Sequence, residues 1–503
     1  MNKRAYRWIA AIATAVAATA RAADWPQFGG DPAHSGNNAA EWQIGASNVA
    51  TLHLAYRVAL PAAAGGAPVL LAGATTPSGT TDVLFLTTED GRLLAVDAAS
   101  GAVLGAQQAV TGPRSTTSSP AIDPDRAHVY SYGLDGKVHK YTISQIVRNA
   151  SAEVVGGGWP ETATLKPDIE KGSSALAFAT AKNGATFLYA AQGGYPGDAG
   201  DYQGHLTAID LGTGTQHVFN AACSDQTVHF VELADPDCAQ RRSAIWGRPG
   251  AVYDADNDAV LIATGNGTFD VSSGGHDWGD SVIALRPDAS SNAGAPAGSY
   301  TPAEFQALQD NDADLGSTAP AILPLHDRSS KIAHLAVQGG KDGTLRLLDR
   351  DALSGAGAHV GGELQAIAVP QGGGVLAQPA VWVDEAGDGA TWVFVANGSG
   401  IAGLQVVVDT SGTPSLVSRW TQTTPATSPV VANGVLYFAG SKGVFALDAK
   451  TGTSLWSDAT IGAIHWQSPI VVDGRLVVAD DAGQLSVYIA TGLPDQIFKN
   501  GWE

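Results

Sequence analysis

One pattern recurs down the 503-residue chain and limits what it can become: an apolar strand, a glycine-containing turn, then a second apolar strand that often closes on Asp. Val83-Leu84-Phe85-Leu86 leads through Asp90-Gly91 to Leu94-Ala95-Val96-Asp97. Val129-Tyr130-Ser131-Tyr132 leads through Asp135-Gly136 to Val138-His139-Lys140-Tyr141. Further copies begin at Phe187, Val260, Leu335, Trp392, Val435 and Leu476, which makes eight. The later copies lie about forty residues apart, the period of a propeller blade. The Gly and Asp-Gly turns supply the positive φ that hairpins need. Apolar residues on both faces of the middle strands fit sheets packed against sheets.

Small-residue segments ending in Pro precede most copies: Ala67-Pro68, Ser119-Pro120, Ala319-Pro320, Gln378-Pro379, Ser428-Pro429 and Ser468-Pro469. They read as innermost strands, where blades converge and space is least. The expectation is therefore an all-β chain, one eight-bladed β-propeller of four-stranded antiparallel blades over 23–503. Length alone suggests roughly three domains of about 150 residues, and the repeat overrides that count. A strand at Leu54 to Leu60 is expected to close the ring on the last blade, because closure removes exposed edges. Only Pro302 to Gln309 reads as a helix, with Thr301 as its N-cap. Insertions at about 150–172, 213–245 and 286–317 are expected on one face, where sites are built.

Repeated turns and tight inner strands also explain the 61 Gly. With 28 basic and 48 acidic residues the formal charge is −20, which argues against a sequence-independent grip on nucleic acid. Residues 1–22 read as a signal peptide: Lys3, Arg4 and Arg7, a short apolar run from Ile9 to Ala20, then Ala20-Arg21-Ala22. No later stretch is long and apolar enough to span a bilayer, so the mature chain is expected to be soluble, periplasmic or secreted. In an oxidising compartment Cys223 and Cys238 are expected to pair as a loop staple. There is no CxxCH for covalent haem and no HExxH, G-x-S-x-G or P-loop.

Asp24-Trp25-Pro26-Gln27-Phe28-Gly29-Gly30 and the Ala-Leu-Asp-Ala-Lys-Thr-Gly copy at 446–452 resemble the pyrroloquinoline quinone (PQQ) repeat superfamily, over essentially the whole mature chain. That superfamily includes quinoprotein alcohol dehydrogenases and non-enzymatic envelope propellers. Four runs are similar to the dehydrogenases: Ile245-Trp246-Gly247 with Thr264-Gly265-Asn266-Gly267, Gly279-Asp280-Ser281, Asp312-Ala313-Asp314-Leu315-Gly316, and Lys341-Asp342-Gly343. The third is closest to polyvinyl-alcohol-type dehydrogenases, without their haem domain.

The resemblance implies roles. Trp246 would be the floor on which PQQ stacks, Lys341 would contact the quinone carbonyls, and Arg248 would add a local cation. Asn266 would ligate Ca²⁺, and Asp312 or Asp314 would be the catalytic base, with Asp314 also a metal ligand. The family's Glu ligand is not evident, and Asp198 and Asp201 are the nearest acidic substitutes, with Asp201 taken as the metal ligand. The family's adjacent-cysteine clamp is also missing, since Cys223 and Cys238 lie apart. These roles fit elementary chemistry: a flat anionic ligand wants an aromatic face and cations, Ca²⁺ wants several oxygens, and alcohol oxidation wants a carboxylate base. The implied activity is oxidation of a small or polymeric alcohol, with a separate electron acceptor. The bland readings are packing for Trp246, turns for Asn266 and Lys341, and a solvated loop for Asp312 and Asp314. The rival function is a non-catalytic scaffold binding a protein or polymer in the cell envelope.

Overall fold

The computed structural model describes residues 23–108, 114–226 and 238–492, and the expected signal peptide at 1–22 lies outside them. Eight sheets form, each with four consecutive antiparallel strands or three plus one returning from the N-terminus. Blade 1 runs Val69–Thr76, Gly79–Thr87, Arg92–Asp97 and Val103–Gln108. Blade 4 runs Val252–Asp254, Ala259–Ala263, Val282–Leu285 and Gly298–Tyr300. Blade 5 runs Ala321–Leu323, Leu335–Gly339, Thr344–Asp349 and Gln365–Ala368. First strands of successive blades contact one another around the ring, for example Ala321–Leu323 with Ala380–Val383 and Ala380–Val383 with Val430–Ala432.

The core sits between blades rather than inside one. Each neighbouring pair shares an apolar cluster: Val83, Phe85 and Ile122 join blades 1 and 2, while Leu261, Val282 and Leu348 join blades 4 and 5. Middle strands such as Leu335–Gly339 and Thr391–Asn397 are buried along their whole length, as two packed faces require.

The recurring Asp-x-x-Ser/Thr-Gly has a visible cause. At the end of a third strand, Asp97 Oδ1 accepts the N–H groups of Ala99 and Ser100, and Gly101 N–H returns to Asp97 C=O at 2.8 Å. Asp210 with Gly214 and Asp448 with Gly452 repeat the arrangement. The glycines sit at φ of +77°, +72° and +69°, a conformation a Cβ disfavours.

Ring closure matches the expected segment. His53–Ala59 pairs antiparallel with Gln484–Ile489 as the outer strand of blade 8, with a bulge between Leu54 and Tyr56. Two local expectations shift. The prolines stand just before the inner strands, Pro120 before Ala121–Ile122 and Pro429 before Val430–Ala432, because proline has no N–H to give a ladder. The helix begins later, at Phe305–Asp310 behind Glu304, and Thr301 does not cap it. The Thr301 hydroxyl instead bonds Ser281 Oγ at 2.7 Å. No helix among the described residues is long and apolar enough to cross a membrane.

Cys223 and Cys238 are joined, with Cα atoms 5.9 Å apart.

Candidate functional site

Loops at one end of blade 3 (Ala177–Thr180, Thr186–Gly194, His205–Asp210 and Gln216–Asn220), blade 4 and blade 5 form most of the wall of a cavity of about 690 Å³. Its wall carries Trp246, Asn266, Asp312, Asp314, Lys341 and Arg248, so all but one of the site residues expected from sequence come together. A cavity of that size suits a cofactor-sized ligand.

Topology delivers each group. Trp246 lies on the connection from blade 3 to blade 4, held where Ile245 N–H meets Gln192 C=O at 3.1 Å. Asn266 follows the second strand of blade 4, and Lys341 follows the second strand of blade 5. Asp312 and Asp314 lie between the short helix and the first strand of blade 5. The insertion at 286–317 thus supplies the two carboxylates. Gly265 is needed for the fit: a Cβ there would lie 2.8 Å from Asp314 Oδ1 and 3.3 Å from Trp246 Nε1.

The polar contacts form one compact set. Asn266 N–H donates to Asp314 Oδ1 at 2.7 Å, and Asn266 Nδ2 donates to Asp312 Oδ1 at 3.0 Å. Lys341 Nζ stands 2.6 Å from Asp314 Oδ2 and 3.5 Å from Asp312 Oδ1. The same ammonium lies 5.3 Å from the centre of the Trp246 ring. Burial works against the charge on Lys341, but the hydrogen bond and attraction of Asp314 outweigh it and hold the ammonium above its ordinary value. Burial lifts Asp314 above the usual carboxylate range, against the pull of Asn266 N–H and Lys341.

Further residues line the wall or brace it from behind, and the sequence alone does not single them out. Asp280, in a quoted run but given no role, is 1% exposed. Its Oδ1 accepts Leu315 N–H at 2.9 Å, and its N–H donates to Gly265 C=O at 3.0 Å. It therefore ties the Asn266 loop to the Asp314 loop. Its Oδ2 is buried without a partner, and burial pushes its carboxyl up to about 8. Lys171 reaches the cavity because Glu170–Lys171 adds as a short strand beside the end of Thr186–Gly194. Burial, then Arg248, press its ammonium below the ordinary lysine value. Arg242 and Trp466 also line the wall. Arg242 and Ser243 hold φ of +78° and +53° next to the site, as strained backbone at functional positions often does. No local motif marks Lys171 or Arg242; only strand pairing brings them in.

Arg248 is buried at the floor and donates to the carbonyls of Gly65, Thr117 and Ser173. Burial lowers its guanidinium to about 10, so it stays charged at neutral pH, held by backbone carbonyls.

Asp201 departs from expectation. It turns away toward Lys166 Nζ at 3.5 Å and Gln203 Nε2 at 3.2 Å, and does not line the cavity. Asp198 lines it instead, accepting the Tyr202 hydroxyl at 2.6 Å. The reason lies in the loop: Gly197, Asp198 and Gly200 all take positive φ and set which carboxylate faces inward.

Two groups implied by the resemblance can be tested on these residues. PQQ, as a flat polyanion, fits: four cations (Lys171, Arg242, Arg248 and Lys341) and the Trp246 and Trp466 rings share the wall. Calcium does not fit. It takes six to eight oxygens, but both Asp314 oxygens already hold donors and Asn266 turns its NH₂ to Asp312. Among the described residues, no group of three or more His, Cys, Asp or Glu is arranged for a metal ion.

Comparison with known proteins agrees with this architecture. The profile of a PQQ-repeat family, described as outer membrane protein assembly factor BamB, matches residues 362–493. The fold is similar to a europium-containing methanol dehydrogenase, with 16% identity, 93% of this chain and 98% of that one covered, and a TM-score of 0.63. It is also similar to the quinohemoprotein alcohol dehydrogenase of Comamonas testosteroni, with 16% identity, coverages of 94% and 82%, and a TM-score of 0.61. A quinohemoprotein alcohol dehydrogenase of Pseudomonas putida HK5 gives 14% identity, 94% and 81%, and 0.61. No curated protein sequence matches the chain. At these identities the likeness is one of fold, an eight-bladed propeller, with a PQQ-repeat profile matched over 362–493.

Proposed function

We propose that this chain is an exported quinoprotein-like oxidoreductase that binds PQQ in its funnel and oxidises an alcohol. The observation that supports it most is the gathering of Trp246, Asn266, Asp314 and Lys341 on one cavity. Residues from four separate loops have no packing reason to converge on one cavity wall.

PQQ, when bound, supplies the two-electron acceptor. The chain's own residues do the rest. Trp246 offers the face on which the ring lies, and Lys171, Arg242 and Arg248 meet its carboxylates. Asp314 accepts the hydroxyl proton of the alcohol, its basicity raised by burial toward working pH. Lys341 Nζ, hydrogen-bonded to Asp314 Oδ2, steadies the charge there before the proton arrives. Asp312 holds Asn266 in place through the amide. No step passes through calcium, and electrons leave to a separate acceptor.

The test is reconstitution of purified protein with PQQ, followed by absorbance of the bound quinone and dye reduction with alcohols. A quinone spectrum shifted by binding and alcohol-dependent turnover are expected. Neither would be seen if the reading is wrong. The match of 362–493 to a profile described as an outer membrane assembly factor favours a second reading, a non-catalytic envelope propeller. In that case, capture of an envelope protein or polymer survives Asp314→Asn.

A further inference from the structure

We infer that the Lys341 ammonium stands in for the divalent cation implied by the resemblance, and that the Asp312–Asp314–Asn266 cluster takes no metal. The inference rests on the quinoprotein-like reading for its meaning but on side-chain geometry for its argument. A metal would have to enter between the two carboxylates. Lys341 Nζ is already there, 2.6 Å from Asp314 and 3.5 Å from Asp312. Every other group on the pair is also a donor: Asn266 N–H on Asp314 Oδ1 and Asn266 Nδ2 on Asp312 Oδ1. A divalent ion at this point would face the ammonium across a contact distance, in a pocket where Asp314 is only 4% exposed.

The other acids near the pair have partners of their own, Asp310 accepting Gln306 Nε2 at 2.9 Å on the rim of the cavity. Asp198 is held by the Tyr202 hydroxyl, Asp201 by Lys166 and Gln203, and Asp342 by Arg346. Asp280 is bound to Leu315 N–H behind the wall.

An ammonium carries three protons. The ion pairs with Asp314 and Asp312 use at most two, which leaves one for an oxygen at the edge of a planar ligand lying on Trp246, whose ring centre is 5.3 Å away. The site thus needs no metal to present a positive charge to a carbonyl.

The experiment titrates the full chain with Tb³⁺, read by luminescence sensitised from Trp246, with Ca²⁺ as competitor and melting temperature as a second readout. The wild type is expected to give no saturable, chelator-reversible signal. Lys341→Met, which leaves both carboxylates without their cation, is expected to gain one at least tenfold above wild type, and Asp314→Asn in that background to lose it. Saturable Tb³⁺ binding by the wild type, displaced by Ca²⁺ and lost in Asp314→Asn, overturns the inference. Absence from both wild type and Lys341→Met also overturns it, since the cluster would then have no metal affinity for the ammonium to suppress. The wild-type arm needs no variant to fold. No quinone is present, so failure of PQQ to bind sinks the oxidoreductase reading and leaves this result standing.

Discussion

Asp280 is the residue whose chemistry departs furthest from its sequence neighbourhood. Its carboxyl sits at about 8, against roughly 3.9 for an ordinary aspartate, chiefly because burial disfavours the charge. The linkage follows directly. Below about pH 4 the group is protonated in both folded and unfolded chains. From there to about 8 the unfolded chain gives up a proton that the folded chain keeps, so stability falls as pH rises, and above 8 it levels. Asp280→Asn keeps an acceptor for Leu315 N–H and removes the titration. Denaturant melts across this window should show the variant gaining on wild type as pH rises; parallel curves would contradict the assignment. Asp314 is the second prediction at this scale. With PQQ bound, Asp314→Asn should cut alcohol-dependent dye reduction by about 10²-fold or more, the usual contribution of a positioned base, while quinone absorbance persists. Loss of both signals together would make Asp314 a binding residue instead.

Elements carry predictions of their own. The Cys223–Cys238 bridge has a sequence separation of 15 and should stabilise the folded chain by about 3 kcal/mol in the chain-entropy model. Cys223→Ser with Cys238→Ser should lower the melting temperature to that of the reduced wild type; an unchanged melt would show that packing alone holds the segment. Gly265 lies where two loops touch Trp246 and Asp314. Gly265→Ala should leave the far-ultraviolet circular dichroism intact but shift the tryptophan fluorescence and weaken quinone binding.

The elements were also the most readable level of the sequence. Hairpin turns and continuous apolar runs are local signals, and they locate the blades and the closing strand. The helix start was misplaced because Thr301 had a distant partner, Ser281, that no local rule exposes. The ordered run from Trp246 to Lys341 is legible through the family resemblance, and Asn266 and Lys341 also follow strand ends. Lys171 and Arg242 are not legible, since strand pairing and positive-φ backbone bring them to the wall. The sequence does not separate Asp198 from Asp201, because the glycines around them decide which one the loop turns inward.

At the scale of the molecule, apolar clusters bridge every neighbouring pair of blades, so the ring behaves as one packed body. Its seam is the antiparallel pairing of His53–Ala59 with Gln484–Ile489, where Val58 is 6% exposed. Val58→Asp would bury a carboxylate at that seam. We expect a lower melting temperature and new protease sensitivity near the N-terminal strand, measured by limited proteolysis. Unaltered resistance would mean that the strand is dispensable to closure.

That seam also sets a schedule. Arg57 Nε bonds Ser486 Oγ across 429 residues of chain, so a strand made early waits for the last described strand before it can pair. Contacts of such separation slow folding and leave edges open meanwhile. Blades 4 and 5 can assemble the cavity wall early, yet its floor cannot close until Arg248 finds Gly65, whose blade is fastened only when the ring is complete. A nascent or truncated chain would therefore hold a recognisable pocket with no bottom, and ligand binding should appear abruptly with the final strand rather than grow blade by blade.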